Sequence, residues 1–388
     1  MDPSKRDLYS STEMEALLAA ASGGDLPTLE RLLRHSVNID TRGYLKGTSK
    51  EFISEPTTML EAAASHNQLE TMEYLIRKGA DVNWAYDGET ALLTAAYQGR
   101  VQVLSLLIEN GADINCKRFR GASVLHEAVH NVSADNLDRK IAVVEILLSH
   151  GFDIETTDVD GYTALHCVGN LQIAEILVNK GADVNAKSIS GDRPLDRAAV
   201  GGDLEIATFL IQKEAQVNNK EEECSGLGLA ARNGYTSMVA LLLDHGAKAI
   251  IPRYKNYELL AAARSGTAAT VSLLYERGFV YQGRPSLFMA ILVDPLNVVE
   301  LLLAQGVNIN ARSRKGQSVL HFAVLRRPVD RTGSRGVLIS RWEVLQFLLD
   351  KGADIEARDV NGQTAKDLAT ASNYVEAVGI LEPRTIQS

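Results

Sequence analysis

Apolar residues in this chain fall into two kinds of short run, and residues 79–115, GADVNWAYDGETALLTAAYQGRVQVLSLLIENGADIN, contain both. In the first run, Leu92, Ala95 and Ala96 make the small packing face of one helix. In the second, Val101, Leu104, Leu107 and Ile108 keep the spacing of an amphipathic stripe. Thr90 has the chemistry of an N-cap, with a hydroxyl able to accept from a free N–H of the first turn. Ala91 takes the next position, where other repeats carry Pro194 or Ala164. Proline suits that place because its missing N–H would have had no partner. Gly99 is expected to end the first helix in the left-handed conformation. Gly111 stops the second helix, and residues 112–115 begin an extended crossing to the next unit. One such unit cannot bury its stripe alone, so it must stack on a copy of itself.

The stretch opens and closes on the same phrase, Gly-Ala-Asp followed by an aliphatic residue and asparagine, and this phrase returns at a period of about 33 residues. The starts Ser123-Val124-Leu125-His126, Arg193-Pro194-Leu195 and Ser318-Val319-Leu320-His321 mark further copies, and Asn67 replaces the helix-ending glycine in one of them. Thr163-Ala164-Leu165-His166, with Gly181-Ala182-Asp183-Val184-Asn185 after it, resembles the signature of the ankyrin repeat family. Degraded copies, about eleven in all, cover nearly the whole chain. The resemblance implies an all-α solenoid of helix–turn–helix units with hairpin-like fingers. The expected organisation is an N-terminal tail over 1–12, a continuous repeat domain over 13–382 and a C-terminal tail over 383–388. Insertions are expected near 41–56, 131–139 and 326–341.

Composition narrows the partners. Lys plus Arg number 40 against 49 Asp plus Glu, a formal net charge of −9, which argues against nucleic acid because phosphates call for a basic face. Hydrophobic residues at 45% suffice for a folded chain. No run reaches the ~18 apolar residues of a membrane span, and no apolar signal-peptide core precedes the first acidic residues. Cys116, Cys167 and Cys224 show no paired spacing, which suits a reducing compartment. The expected location is the cytoplasm, or the nucleus if the basic cluster of Arg326, Arg327, Arg331, Arg335 and Arg341 acts as an import signal rather than as a solvated insertion.

His126-Glu127-Ala128-Val129-His130 fits H-E-x-x-H, which on one helix face could hold zinc with the glutamate as general base. Against this, the resemblance makes His126 the hydrogen-bonding histidine of the helix start, in the same slot as His166 and His321. No third ligand is evident, and no metal or cofactor is expected. His130 falls where the family's repeats vary, facing the groove. Trp84, Tyr86, Tyr97, Phe119 and Arg120 also lie at positions the fold leaves free, and tryptophan, tyrosine and arginine dominate binding hot spots. The expected function is a non-catalytic scaffold or regulatory adaptor that binds a protein partner through the groove and finger tips. The rival is an enzyme, or an auxiliary protein of a biosynthetic pathway, holding a small molecule in the groove.

Overall fold

Short polar side chains start the helices. Thr90 Oγ1 accepts from the backbone N–H of Leu93 at 3.2 Å, at the head of the helix Ala91–Gln98. Thr58 and Glu61 form a reciprocal capping box, as do Thr364 and Asp367. Gly99 then ends its helix at φ 67, and Asn67 takes the same left-handed place at φ 58. The computed structural model describes residues 11–33, 38–43, 57–85, 88–218, 226–248, 257–265, 267–279, 287–288, 290–291, 296–325 and 341–382. Among them there is no strand, only the isolated bridges Gly43 with Thr57 and Lys117 with Ser123. No helix among them is long and apolar enough to cross a membrane. The basic cluster at 326–335 and most of the 41–56 insertion lie outside the described residues.

Backbone contacts divide the chain into two compact units, Met1–Arg197 with Gln212–Ala215, and Ala198–Ile211 with Gln216–Ser388. In the first, the helix pairs Met59–Ser65 and Leu69–Arg77, Ala91–Gln98 and Val101–Glu109, and Val124–Val129 and Leu137–Ser149 follow one another, with Ala164–Cys167 and Leu171–Asn179 after them. First helices pack on first helices of the neighbouring repeat, and second on second. The stripe is buried in the same register each time, by Val103, Leu104 and Leu107, then Val143, Val144 and Leu147, then Ile173, Ala174 and Leu177. Each fully buried leucine contributes roughly 1.5–3 kcal/mol. The second unit repeats the scheme. Gly226–Asn233 packs on Tyr257–Ser265, and Val319–Leu325 on Ala365–Ala371.

Near 131–139 the second helix of the repeat, Leu137–Ser149, begins at Leu137. Asn136 and Ser133 close the loop before it, the Ser133 N–H donating to Asn136 Oδ1 at 2.8 Å.

Between repeats the chain turns back in fingers, and there backbone closes most tightly on a glycine of the neighbouring finger among the described residues. Gly161 sits at φ 81, and a Cβ built on it would lie 2.7 Å from the backbone nitrogen of Ile189 on the next finger. Gly111 at φ 84 has open space around the same position. Both alanine substitutions incur the left-handed strain, roughly 1 kcal/mol, and only Gly161→Ala must also push two fingers apart. Urea unfolding is expected to show Gly161→Ala as the more destabilised variant; equal losses would mean that the fingers shift freely.

Candidate functional site

Around Tyr97 the structure gathers more chemistry than anywhere else among its described residues. Tyr97 lies in the last turn of Ala91–Gln98, and His130 follows directly on Val124–Val129 with an extended backbone at φ −82 and ψ 152. Their rings stack with centroids 5.9 Å apart and planes at 27°. His130 is exposed and Tyr97 half-buried. Two cations face the tyrosine ring, Lys140 Nζ at 5.4 Å and Arg118 Cζ at 5.9 Å from its centroid.

Arg118 is fixed from two sides. Its Nε and Nη2 face the two oxygens of Glu89, with Nη2 donating at 2.6 Å, and its Nη1 lies 3.3 Å from Glu127 Oε2. Glu127 is buried, which raises its carboxyl above the usual range while Arg118 pulls it back down.

Lys140 has 0% exposure. Its ammonium donates to the carbonyl of Ala96 at 3.1 Å and to that of Glu127 at 3.0 Å, near the C-terminal ends of both first helices. The Ala96 carbonyl also accepts from the N–H of the C-cap Gly99 at 3.2 Å, and a cation at these helix ends meets the negative end of the helix dipole. The device recurs in this unit with other donors. Gln68 Nε2 donates to Ser22 O at 3.1 Å, and Arg100 Nη2 to Ser65 O at 3.2 Å. Lys140 alone of the three is buried completely. Burial brings its ammonium down from 10.5 to about 8, with Glu127 opposing the shift.

The H-E-x-x-H segment resolves into two unlike histidines. Ser123 Oγ meets His126 Nδ1 at 2.7 Å, and His126 Nε2 meets the carbonyl of Tyr162 on the next repeat at 2.8 Å. A carbonyl can only accept, so Nε2 carries the hydrogen and Nδ1 accepts. His166 repeats the arrangement with Thr163 and Asp192 O, and His321 with Ser318 and Gln363 O. Both nitrogens of His126 are thus used by the scaffold, and burial lowers its pKa. His130 lies beyond the helix end, so the pair does not share one helix face. Among the described residues no group of three metal-ligating side chains comes together.

Of the residues named from sequence, Tyr97 and His130 meet. Phe119 and Arg120 lie exposed at a finger tip beside Arg118, Phe119 at 72% exposure. Trp84 is half-buried, with the Arg42 guanidinium 5.2 Å from its ring centroid. Tyr86 lies outside the described residues. Sequence reasoning missed Lys140, Arg118 and Glu89, and weighed Glu127 only as a general base beside zinc. For Lys140 a signal existed: it precedes Val144 and Leu147 by four and seven positions, so it continues an apolar stripe with a charge.

The buried ammonium has a pH signature. Between pH 8 and 10.5 the unfolded chain holds a proton on Lys140 that the folded chain has released, so stability from this group rises with pH across that window. Below pH 8 both states are protonated and the penalty is constant. Relative to Lys140→Met, the wild-type unfolding free energy should climb across this window by up to about 1.4 kcal/mol per pH unit. Urea titrations at stepped pH check this, and parallel curves for the two proteins would disprove the depressed ammonium.

Comparison with known proteins agrees with the stacked helix pairs. A family model described as "Ankyrin repeats (3 copies)" matches in overlapping segments, 17–118, 60–158, 125–221, 168–253, 195–282 and 227–313. Among curated proteins, the chain is similar to a transient receptor potential cation channel subfamily A member 1 homolog of Caenorhabditis elegans, 27% identical over 44% of this chain and 15% of that protein. It is similar to the B-cell lymphoma 3 protein homolog of Mus musculus, 36% identical over 24% of each. It is also similar to protein phosphatase 1 regulatory subunit 27 of Homo sapiens, 37% identical over 20% of this chain and 47% of that protein. The matched region spans less than half the length of each of these relatives. With the repeat signature recognised from residue 17 to residue 313 and helices stacked within each unit, the chain belongs to the ankyrin repeat family.

Proposed function

We propose that the chain is a non-catalytic interaction scaffold or regulatory adaptor whose first unit binds a protein partner across the groove of first helices and the adjoining finger tips. The observation that carries this reading is the Tyr97–His130 stack. Its exposed imidazole rests on a ring already held by a buried lysine and an ion-paired arginine. Such a surface has little side-chain freedom left to lose on binding. Relatives support the regulatory half of the reading, since one of them is by its name a regulatory subunit of a protein phosphatase.

The test is affinity purification from native extract with the full chain, followed by titration of the recovered protein against variants. His130→Ala removes an exposed ring without disturbing the clamp behind it, and is expected to cost about 1–2 kcal/mol of partner affinity with an unchanged unfolding midpoint. Unchanged affinity would move the contact away from this cluster. Trp84→Ala is expected to weaken binding by about 2 kcal/mol. A Trp84→Ala protein that melts early yet binds normally would assign the indole to packing under Arg42.

A further inference from the structure

The finger tips of the first unit carry a second pattern. Three consecutive fingers turn on Arg118-Phe119-Arg120-Gly121, Asp158-Val159-Asp160-Gly161 and Ser188-Ile189-Ser190-Gly191. Each places a large apolar side chain at the same position, and all three are exposed: Phe119 at 72%, Val159 at 55% and Ile189 at 80%. Nothing in the folding of a finger demands this, because each turn is closed by its backbone, with the Asp158 and Ser188 side chains accepting further N–H bonds in the second and third, and none of these bonds involves the apolar side chain. The Gly121 N–H donates to Arg118 O at 2.8 Å, Gly161 to Asp158 O at 3.2 Å and Gly191 to Ser188 O at 2.9 Å.

The tips are in lateral register. The Val159 N–H donates to Arg120 O at 3.1 Å, and the Ile189 N–H to Asp160 O at 2.9 Å. The Val159 and Ile189 side chains lean on the glycine of the finger before them. A Cβ on Gly121 would lie 3.1 Å from Val159 Cγ1, and one on Gly161 would lie 3.1 Å from Ile189 Cγ1. The charge beside each apolar tip changes along the row, from Arg120 to Asp160 to the neutral Ser190. Arg120 and Asp160 are both exposed, and neither enters an ion pair among the described residues. Arg120 is moreover held at φ 73, a conformation that costs a non-glycine residue.

Resting on the scaffold reading above, we propose that this row receives one amphipathic helix of a protein partner, laid along the tips with an apolar residue at every seventh position. An acidic residue of that helix faces Arg120 and a basic one faces Asp160. The spacing selects a helix over an extended peptide. Adjacent fingers are carried by helices packed side by side, about 8–10 Å apart. A helix returns to the same face after seven residues, a rise of about 10.5 Å, and so keeps step with the fingers. An extended strand changes face at every residue, and its same-face steps of about 6.7 or 13.4 Å lose register by the third finger. The alternating charges then fix the direction in which the helix runs, since reversal would set like charges together.

The probe is a designed peptide of about 20 residues, helix-stabilised, with leucine at every seventh position, glutamate beside the first leucine and lysine beside the second. Fluorescence anisotropy against the full chain is expected to show saturable binding. Val159→Asp, and separately the pair Phe119→Asp with Ile189→Asp, should weaken it by about tenfold or more. All three side chains are exposed, so thermal melting should be unaffected. A peptide with its glutamate and lysine exchanged should bind several-fold more weakly. No saturable binding, binding insensitive to the tip substitutions, or equal affinity for the exchanged peptide would each overturn the proposal. So would sedimentation showing that the chain self-associates through these tips, which would make the row a contact between copies. If the peptide fails while a native partner is still captured and is sensitive to His130→Ala, the helix is wrong and the scaffold reading stands. If the peptide binds as expected and no native capture responds to His130→Ala, the failure lies with the groove.

Discussion

A repeat in this chain is completed by its neighbour, and the hydrogen bonds that complete it run from side chain to backbone across the repeat boundary. The asparagines closing three of the signature phrases show this most plainly. Asn83 Nδ2 donates to Gly111 O at 3.0 Å while its Oδ1 accepts from the Asp113 N–H. Asn218 does the same to Gly246 and Lys248, and Asn310 to Gly352 and Asp354. Helix C-termini leave carbonyls without partners, and a buried orphan carbonyl is costly. An amide, which offers a donor and an acceptor together, satisfies two groups of the next repeat at once. The histidines at the helix starts also join repeats, one ring nitrogen meeting the cap of their own helix and the other a carbonyl of the next repeat. Burial of the stripe supplies most of the driving force, and these bonds set the register in which it is buried.

That division leaves the apex of each finger tip and the outer ends of the first helices outside the bonds that set the register. Side chains there are free to vary, and this chain has filled them with Phe119, Val159, Ile189 and the Tyr97–His130 pair. A family defined by its scaffold can therefore hold members with unrelated partners. The protein-interaction role follows from the scaffold, while the identity of the partner must be read from the free positions.

Lys140 shows what the scaffold tolerates. A buried ammonium is expensive, and removing its proton is one way of reducing the cost. Here two helix-end carbonyls, the Tyr97 ring and the nearby Glu127 offset much of it. The equivalent position in the preceding repeat is Arg100, whose guanidinium reaches Ser65 O while staying half-buried. Gly99 is needed for its left-handed φ of 67 rather than for space, since a Cβ there would lie at ordinary contact distance, 3.4 Å from Arg139 Cβ and 3.7 Å from Lys140 Cδ.

The sequence by itself determined the helices, their caps and the stacking. Thr90, Gly99, Asn67 and the Leu104 and Leu107 positions of the stripe act through local conformational preference and a fixed period, both properties of the chain before it folds, whereas Val101 and Ile108, read into the same stripe, are half-buried and Val103 is buried beside Leu104. It also marked His126 as scaffold, because the repeat places its histidines in one slot. Tertiary structure alone decided which distant residues meet. Glu89, Arg118, Glu127 and Lys140 come from two fingers and two helices, and no periodic signal joins them. Nor could sequence tell that Trp84 would lie under Arg42, or that Val159 and Ile189 would align with Phe119, whose spacings of 40 and 30 residues differ because loop lengths vary between repeats. Periodicity records what every repeat must do for itself. The meeting of charges and rings across repeats depends on the packed distance between them, which only the folded stack defines.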